Sequence, residues 1–320
     1  MGIDERLRPG TADARPGHAR RGALTVGASR DPYRRLYDLL IAPMESALPA
    51  APAARVTIVP HGPRFGLSFA ALMDSRGRYL LERYTLHYAP SAASLQRTGL
   101  KPEAMPSPPR YLLIADPANA GGAADRLPRL PGARSEAAAV RALLPAGAAT
   151  LVMGSRADTA RVTGLAPAST VLHFATHGVV LDDRPLESYL ALANGRLTAR
   201  DIYALDLHAD LVILSACRSG SGSITGDGIM GLTRAFFYAG TPSIIATLSD
   251  VADVSAGYLV PRFYGSWQRS HDKAAALRSA QLGLLRALRA GRISVDTPAG
   301  RFIVPEHPAL WAPFVLIGQP

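Results

Sequence analysis

The residues best suited to covalent chemistry are one thiol and one histidine set at the ends of apolar runs, with a second histidine inside one of them. Cys217 is the single cysteine in 320 residues, so it can join neither an intrachain disulfide nor a Cys-rich zinc site. It ends the run Leu211-Val212-Ile213-Leu214-Ser215-Ala216-Cys217, beyond which Arg218-Ser219-Gly220 opens a Gly/Ser-rich loop. A thiol there rides on a rigid strand, while the permissive loop lets a substrate backbone approach. Forty residues earlier, Val171-Leu172-His173-Phe174-Ala175-Thr176-His177-Gly178 is a second apolar run ending in His-Gly. With a strand period of two, His173, Ala175 and His177 share a face, His173 inside the strand and His177 at its exit.

These residue types in this order fit nucleophilic catalysis. An unassisted thiol, with a pKa near ~8.5, is mostly protonated at neutral pH, and a neighbouring imidazole that takes its proton supplies the thiolate. If the two runs are adjacent strands, their exits lie about 5 Å apart. His177 and Cys217 then flank a scissile carbonyl, with His177 as base and afterwards as leaving-group acid. The amides of Gly178 and Cys217 would form the oxyanion hole. The ordinary alternative is a buried structural thiol and a packing histidine; the conjunction of two such strand ends in one sheet favours the pair.

Such exits need a sheet to carry them, and the pattern supplies one. Apolar strands at 111–115, 150–153, 170–176, 211–216, 243–248 and 314–318 alternate with helices at 135–144, 157–163, 228–238, 254–268 and 272–290. That alternation predicts an α/β fold with a mostly parallel sheet covered on both faces, whose sites lie beyond the carboxyl ends of its strands. Upstream, the pattern predicts a helix from Asp31 through Leu48, a strand over 55–60, a short helix over 68–72 and a strand over 79–88. The proline-rich stretch 102–109 reads as a seam. The organisation expected is a flexible basic tail (1–31), an N-terminal α/β half (32–105) and a catalytic half (106–320).

Composition narrows the function classes. The chain is 48% hydrophobic and 19% charged, enough apolar surface for a sizeable core. No apolar run reaches the ~18 residues of a membrane span, and the start MGIDERLRPG lacks an export signal, so a cytoplasmic protein with no membrane role is expected. The net charge of +10 raises the question of nucleic acid, yet Lys101 and Lys273 are the only lysines, and the 33 arginines are dispersed. No nucleic-acid partner is therefore expected. Neither lysine follows a glycine, which removes a P-loop, and no G-x-S-x-G elbow offers a serine nucleophile. Gly220, Gly222 and Gly226 after a strand, with Asp250 ending the next, imitate a dinucleotide fingerprint, but their spacing is G-x-G-x-x-x-G.

The order H-F-A-T-H-G, L-S-A-C-R-S-G and G-I-M-G-L-T-R-A-F-F-Y-A-G (228–240) resembles the CHAT family of caspase-like cysteine peptidases, relatives of separases and caspases. The stretch 307–318 is similar to that family's closing signature, and 36–48, 59–63, 69–72 and 88–91 carry the likeness into the first half. The resemblance implies a caspase-like three-layer fold with a pseudo-caspase-like N-terminal half. It also implies a His177–Cys217 dyad and cleavage of a protein substrate without metal or organic cofactor. Activation by a separate partner protein, giving regulated limited proteolysis, follows the same resemblance; a catalytically idle interaction module is its rival. Ser249 stands where the family usually has tryptophan in a loop lining substrate subsites, and His61 stands where an acid is common. Asp227, by analogy with Arg-specific relatives, would line a pocket for a basic side chain, or else cap the helix starting at Gly228. Asp253 has the same two readings. Asp182 and Asp183 would either orient His177 or lie in a solvated turn.

Overall fold

The computed structural model describes residues 31–91, 108–122, 127–181, 183–215, 226–298 and 300–320, with the backbone alone for 226–230. Residues 1–30 of the expected tail and most of the proline-rich seam lie outside these.

Helix α1 (Asp31–Leu40) stops short of the expected Leu48, and Ala42–Ala47 winds instead as a 3-10 turn. Pro43 is the cause, since it offers no amide and disfavours the α conformation before it. Strand β1 (Arg55–Ile58) follows, then a 3-10 turn at Phe69–Ala71 where a short helix was expected. The single strand expected over 79–88 divides into a helical turn, α2 (Leu80–Arg83), and β2 (Thr85–Tyr88). Glu82 makes the turn by accepting the Tyr79 amide at 2.9 Å, a local bond that alternation of apolar residues cannot reveal.

The remaining elements come in the anticipated alternation: β3 (Tyr111–Pro117), α3 (Pro131–Leu143), β4 (Ala149–Gly154), α4 (Thr159–Leu165) and β5 (Val171–Ala175). A small antiparallel sheet then intervenes, built from β6 (Gly178–Val179), β7 (Tyr189–Leu192) and β8 (Gly195–Thr198). The sequence reading missed it because β6 has two residues and Pro185 interrupts the lead-in to β7. Helix α5 (Ala199–Tyr203), β9 (Leu211–Leu214), α6 (Gly226–Tyr238), β10 (Ser243–Thr247), α7 (Asp253–Ser270) and α8 (Lys273–Arg289) follow. The hairpin β11 (Ser294–Thr297) and β12 (Gly300–Ile303), also unforeseen, precedes β13 (Phe314–Gly318).

The main sheet has eight strands in the order β1-β2-β13-β10-β9-β5-β3-β4. Every neighbouring pair is parallel except β10 with β13, so the expected mixed α/β class with a mostly parallel central sheet holds. Strands from the first 91 residues continue this sheet through β13, and one apolar core runs from Tyr37, Leu72 and Leu80 to Phe314 and Leu316. The central strands β3, β5, β9 and β10 are buried nearly throughout, as parallel strands covered on both faces must be.

Candidate active site

β5 and β9 are adjacent and parallel, with Val171 opposite Leu211 and Phe174 opposite Leu214. Their ladder therefore ends three residues before His177 on one strand and three before Cys217 on the other. Cys217 itself, residues 220–225 of the glycine loop before α6, and Asp182 lie outside the described residues.

His177 is anchored by the small sheet. Its carbonyl accepts the Ala191 amide at 2.8 Å, and Thr176 donates its hydroxyl to the Ala191 carbonyl at 2.5 Å, so β7 grips the exit of β5. The His177 side chain is buried, and its Nε2 stands 2.8 Å from the Pro128 carbonyl. A carbonyl only accepts, so this bond assigns the proton to Nε2 and leaves Nδ1 as the basic nitrogen. Nδ1 is buried without a hydrogen-bond partner among the described residues. Gly178, in β6, is also buried and pairs with Leu190. Because the Ala191 amide bonds the carbonyl of 177, Gly178 sits at a non-bonded position of that ladder and its amide faces away from β7.

The segment that follows Pro128 is held by an acid that the sequence reading did not single out. Asp116, at a bulge near the end of β3, has φ of 43° and is 2% exposed. Its carboxylate accepts Arg129 Nε at 2.9 Å and the Leu130 amide at 2.8 Å, and is bonded by Arg129 Nη2 and Arg134 Nε as well. Burial pushes this carboxyl up, but the bonds from Arg129, the Leu130 amide and Arg134 outweigh it and hold the group well below the usual carboxylate range. The cluster thereby fixes residues 129–134 just after the carbonyl that orients His177. Deeper still, Glu136 on α3 bonds His173 and Ser215. The strand-end rule applied to β3 picks out Asp116; Glu136 carries no sequence signal beyond being a charge inside a helix.

The other expected residues are dispersed around this point. Ser249 is half-buried just past β10. Asp253 is exposed in the first turn of α7, with Ala252 at the cap position. It presses on Gly132 of α3, whose hypothetical Cβ would stand 2.2 Å from the Asp253 Cγ. Asp227 lies inside the first turn of α6, which begins at Gly226 and not at Gly228 as expected, and its side chain is not among those described. Asp183 is exposed and pairs with Arg184 at 3.4 Å, the solvated-turn alternative. Asp250 and His61 are exposed. Among the described residues no three His, Cys, Asp or Glu side chains gather as a metal site, and no helix is long and apolar enough to cross a membrane.

An eight-stranded, mostly parallel sheet flanked by helices is a caspase-like α/β fold. The chain superposes on separase in the Saccharomyces cerevisiae separase–securin complex with a TM-score of 0.50 at 14% identity, over 80% of this chain and 14% of that one. A second structure, the Arg-specific cysteine proteinase gingipain R, gives 0.44 at 12% identity over 66% of this chain and 46% of that one. The CHAT domain family matches residues 30–319, and the chain belongs to that family. Tetratricopeptide repeat protein 28 of mouse and of human is 29% identical over 344 residues, covering 91% of this chain. The chain spans 13% of the length of these relatives.

Proposed function

We propose that the protein is a cysteine endopeptidase that carries out regulated, limited proteolysis of a protein partner through His177 and Cys217. The observation that carries this reading is the state of His177: a buried ring, oriented through Nε2 by the Pro128 carbonyl, with Nδ1 unpartnered among the described residues. It stands at the exit of the strand paired with the one that leads to the sole thiol. In the reaction, His177 Nδ1 takes the Cys217 proton and the sulfur attacks the scissile carbonyl carbon. The tetrahedral oxyanion is held by the Gly178 amide, which the β6–β7 ladder leaves free, and by the Cys217 amide. The imidazolium then protonates the departing amine, and water hydrolyses the thioester to a carboxylate and restores the thiol. The Pro128 carbonyl, which accepts from Nε2 throughout, stabilises the imidazolium while it exists.

For substrate contacts we assign Asp227, Ser249 and Asp253. Asp253 is supported by its contact with Gly132, four residues past the carbonyl that orients His177. No metal or organic cofactor is needed for this chemistry. An activating partner protein accords with relatives that are named for tetratricopeptide repeats and are far longer than this chain. The second reading, an interaction module without catalysis, draws on the same relatives.

The test is to add the purified protein to cell extract and identify newly created protein N-termini by mass spectrometry. A set produced by the wild type and lost in both Cys217→Ala and His177→Ala is expected. The same set from either variant excludes the dyad.

A further inference from the structure

Glu136 is a carboxylate in the interior for which the proposed reaction has no use. Its side chain is 3% exposed and that of His173 is 1% exposed. Burying a carboxyl is costly unless its oxygens are bonded, and here both are. Oε1 stands 2.8 Å from His173 Nε2, and Oε2 accepts the Ser215 hydroxyl at 3.0 Å. The other face of the cluster is closed by Tyr264 of α7, whose ring stacks on His173 at 5.9 Å and 20° with its hydroxyl 3.4 Å from Nδ1.

The placement of these partners matters more than their number. His173 is inside β5, four residues before His177, and Ser215 is the first residue past β9, two before Cys217. The β5–β9 backbone ladder ends at Phe174 and Leu214. Glu136 thus bridges side chains of the two strands where the ladder between them stops. The same helix follows directly on the segment that orients His177, since Pro128 lies three residues before its start at Pro131. One rigid body, α3 with its lead-in, is bonded both to the ring of His177 and to the chain that continues into Cys217.

We propose that Glu136 is a positioning residue for the dyad: through Ser215 and His173 it sets the spacing and pitch of the two strand exits so that thiol and imidazole share a proton. This rests on the His177–Cys217 reading above. Geometry of this kind is sensitive to small displacements, because proton sharing needs hydrogen-bond contact between the two groups.

The experiment measures the rate of iodoacetamide alkylation of Cys217, the sole thiol, in the full chain at pH 7 and above about pH 10, where the thiol ionises unaided. Ser215→Ala and Glu136→Gln are each expected to slow alkylation at pH 7 by about tenfold, the scale of one hydrogen bond to a charged group. At high pH both should match the wild type, and Ser215→Thr, which keeps the hydroxyl, should match it throughout. Ser215→Ala carries the test if Glu136→Gln does not fold. Wild-type rates at pH 7 in these variants, with His177→Ala still slowed, overturn the positioning role and leave the dyad standing. Equal slowing at both pH values overturns it too, since that reports access to the thiol and not proton sharing. Wild-type behaviour of His177→Ala removes the dyad and the positioning role together.

Discussion

Asp116 does at the residue scale what a loop backbone cannot do alone. Two arginines and an amide converge on one buried carboxylate, and the ordered segment beside it presents the Pro128 carbonyl to His177. Asp116→Asn removes the charge and should cost about 2 kcal/mol, below the usual figure for a broken buried pair because both arginines are half-exposed and screened. The sign of its pH dependence is fixed. The folded value is depressed, so the stabilisation is complete above the ordinary carboxylate value of 3.8 and is lost as the pH falls below it. Urea midpoints of wild type and Asp116→Asn should therefore differ at pH 6 and converge towards pH 2.5, and a gap that stays constant would refute this account. Of the residues around His177, the sequence reveals those whose type is chemically marked. His177 was legible because a histidine ending an apolar strand is conspicuous; Pro128 was not, because it acts through a carbonyl that every residue possesses.

Helix termini decide matters at the element scale. The first turns of α3 and α7 touch where Gly132 meets Asp253, and a methyl group on Gly132 would stand 2.2 to 2.6 Å from three Asp253 atoms. Gly132→Ala should lower stability by about 1 to 3 kcal/mol through overpacking. The double variant Gly132→Ala/Asp253→Gly should recover most of it, as thermal unfolding of the three proteins will reveal; no recovery would mean that the strain lies elsewhere. Periodicity located the long elements well because the buried central strands and two-sided helices impose it. It failed where a local bond overrides it, as with Glu82 and the turn at 80–83, and where strands are too short to show a period, as with β6. That omission bears on function, since β7 is what fixes the backbone at Thr176 and His177.

Across the whole molecule, residues 31–91 are bound to the remainder through the sheet and through side chains. Tyr88 pairs with Ile317, the Ser68 hydroxyl bonds the Ala312 carbonyl at 2.6 Å, and Tyr79 packs edge-on against Trp311 at 4.8 Å. Arg278 of α8 donates to the carbonyls of Leu81, Glu82 and Tyr84. A chain shortened to residues 92–320 would expose one side of β13 and this part of the core, so it should lack a cooperative melt by circular dichroism; a transition close to that of the full chain would contradict the coupling. The sequence by itself determined the α/β class, the apolar runs that lead to His177 and Cys217, and the family likeness, because apolar periodicity and rare reactive residues are written along the chain. Only the tertiary structure decided that β5 and β9 are neighbours, that a backbone carbonyl orients His177, and that Asp116 and Glu136 brace the exits. Those relations join residues far apart in sequence, and they arise only when the sheet order brings the elements together.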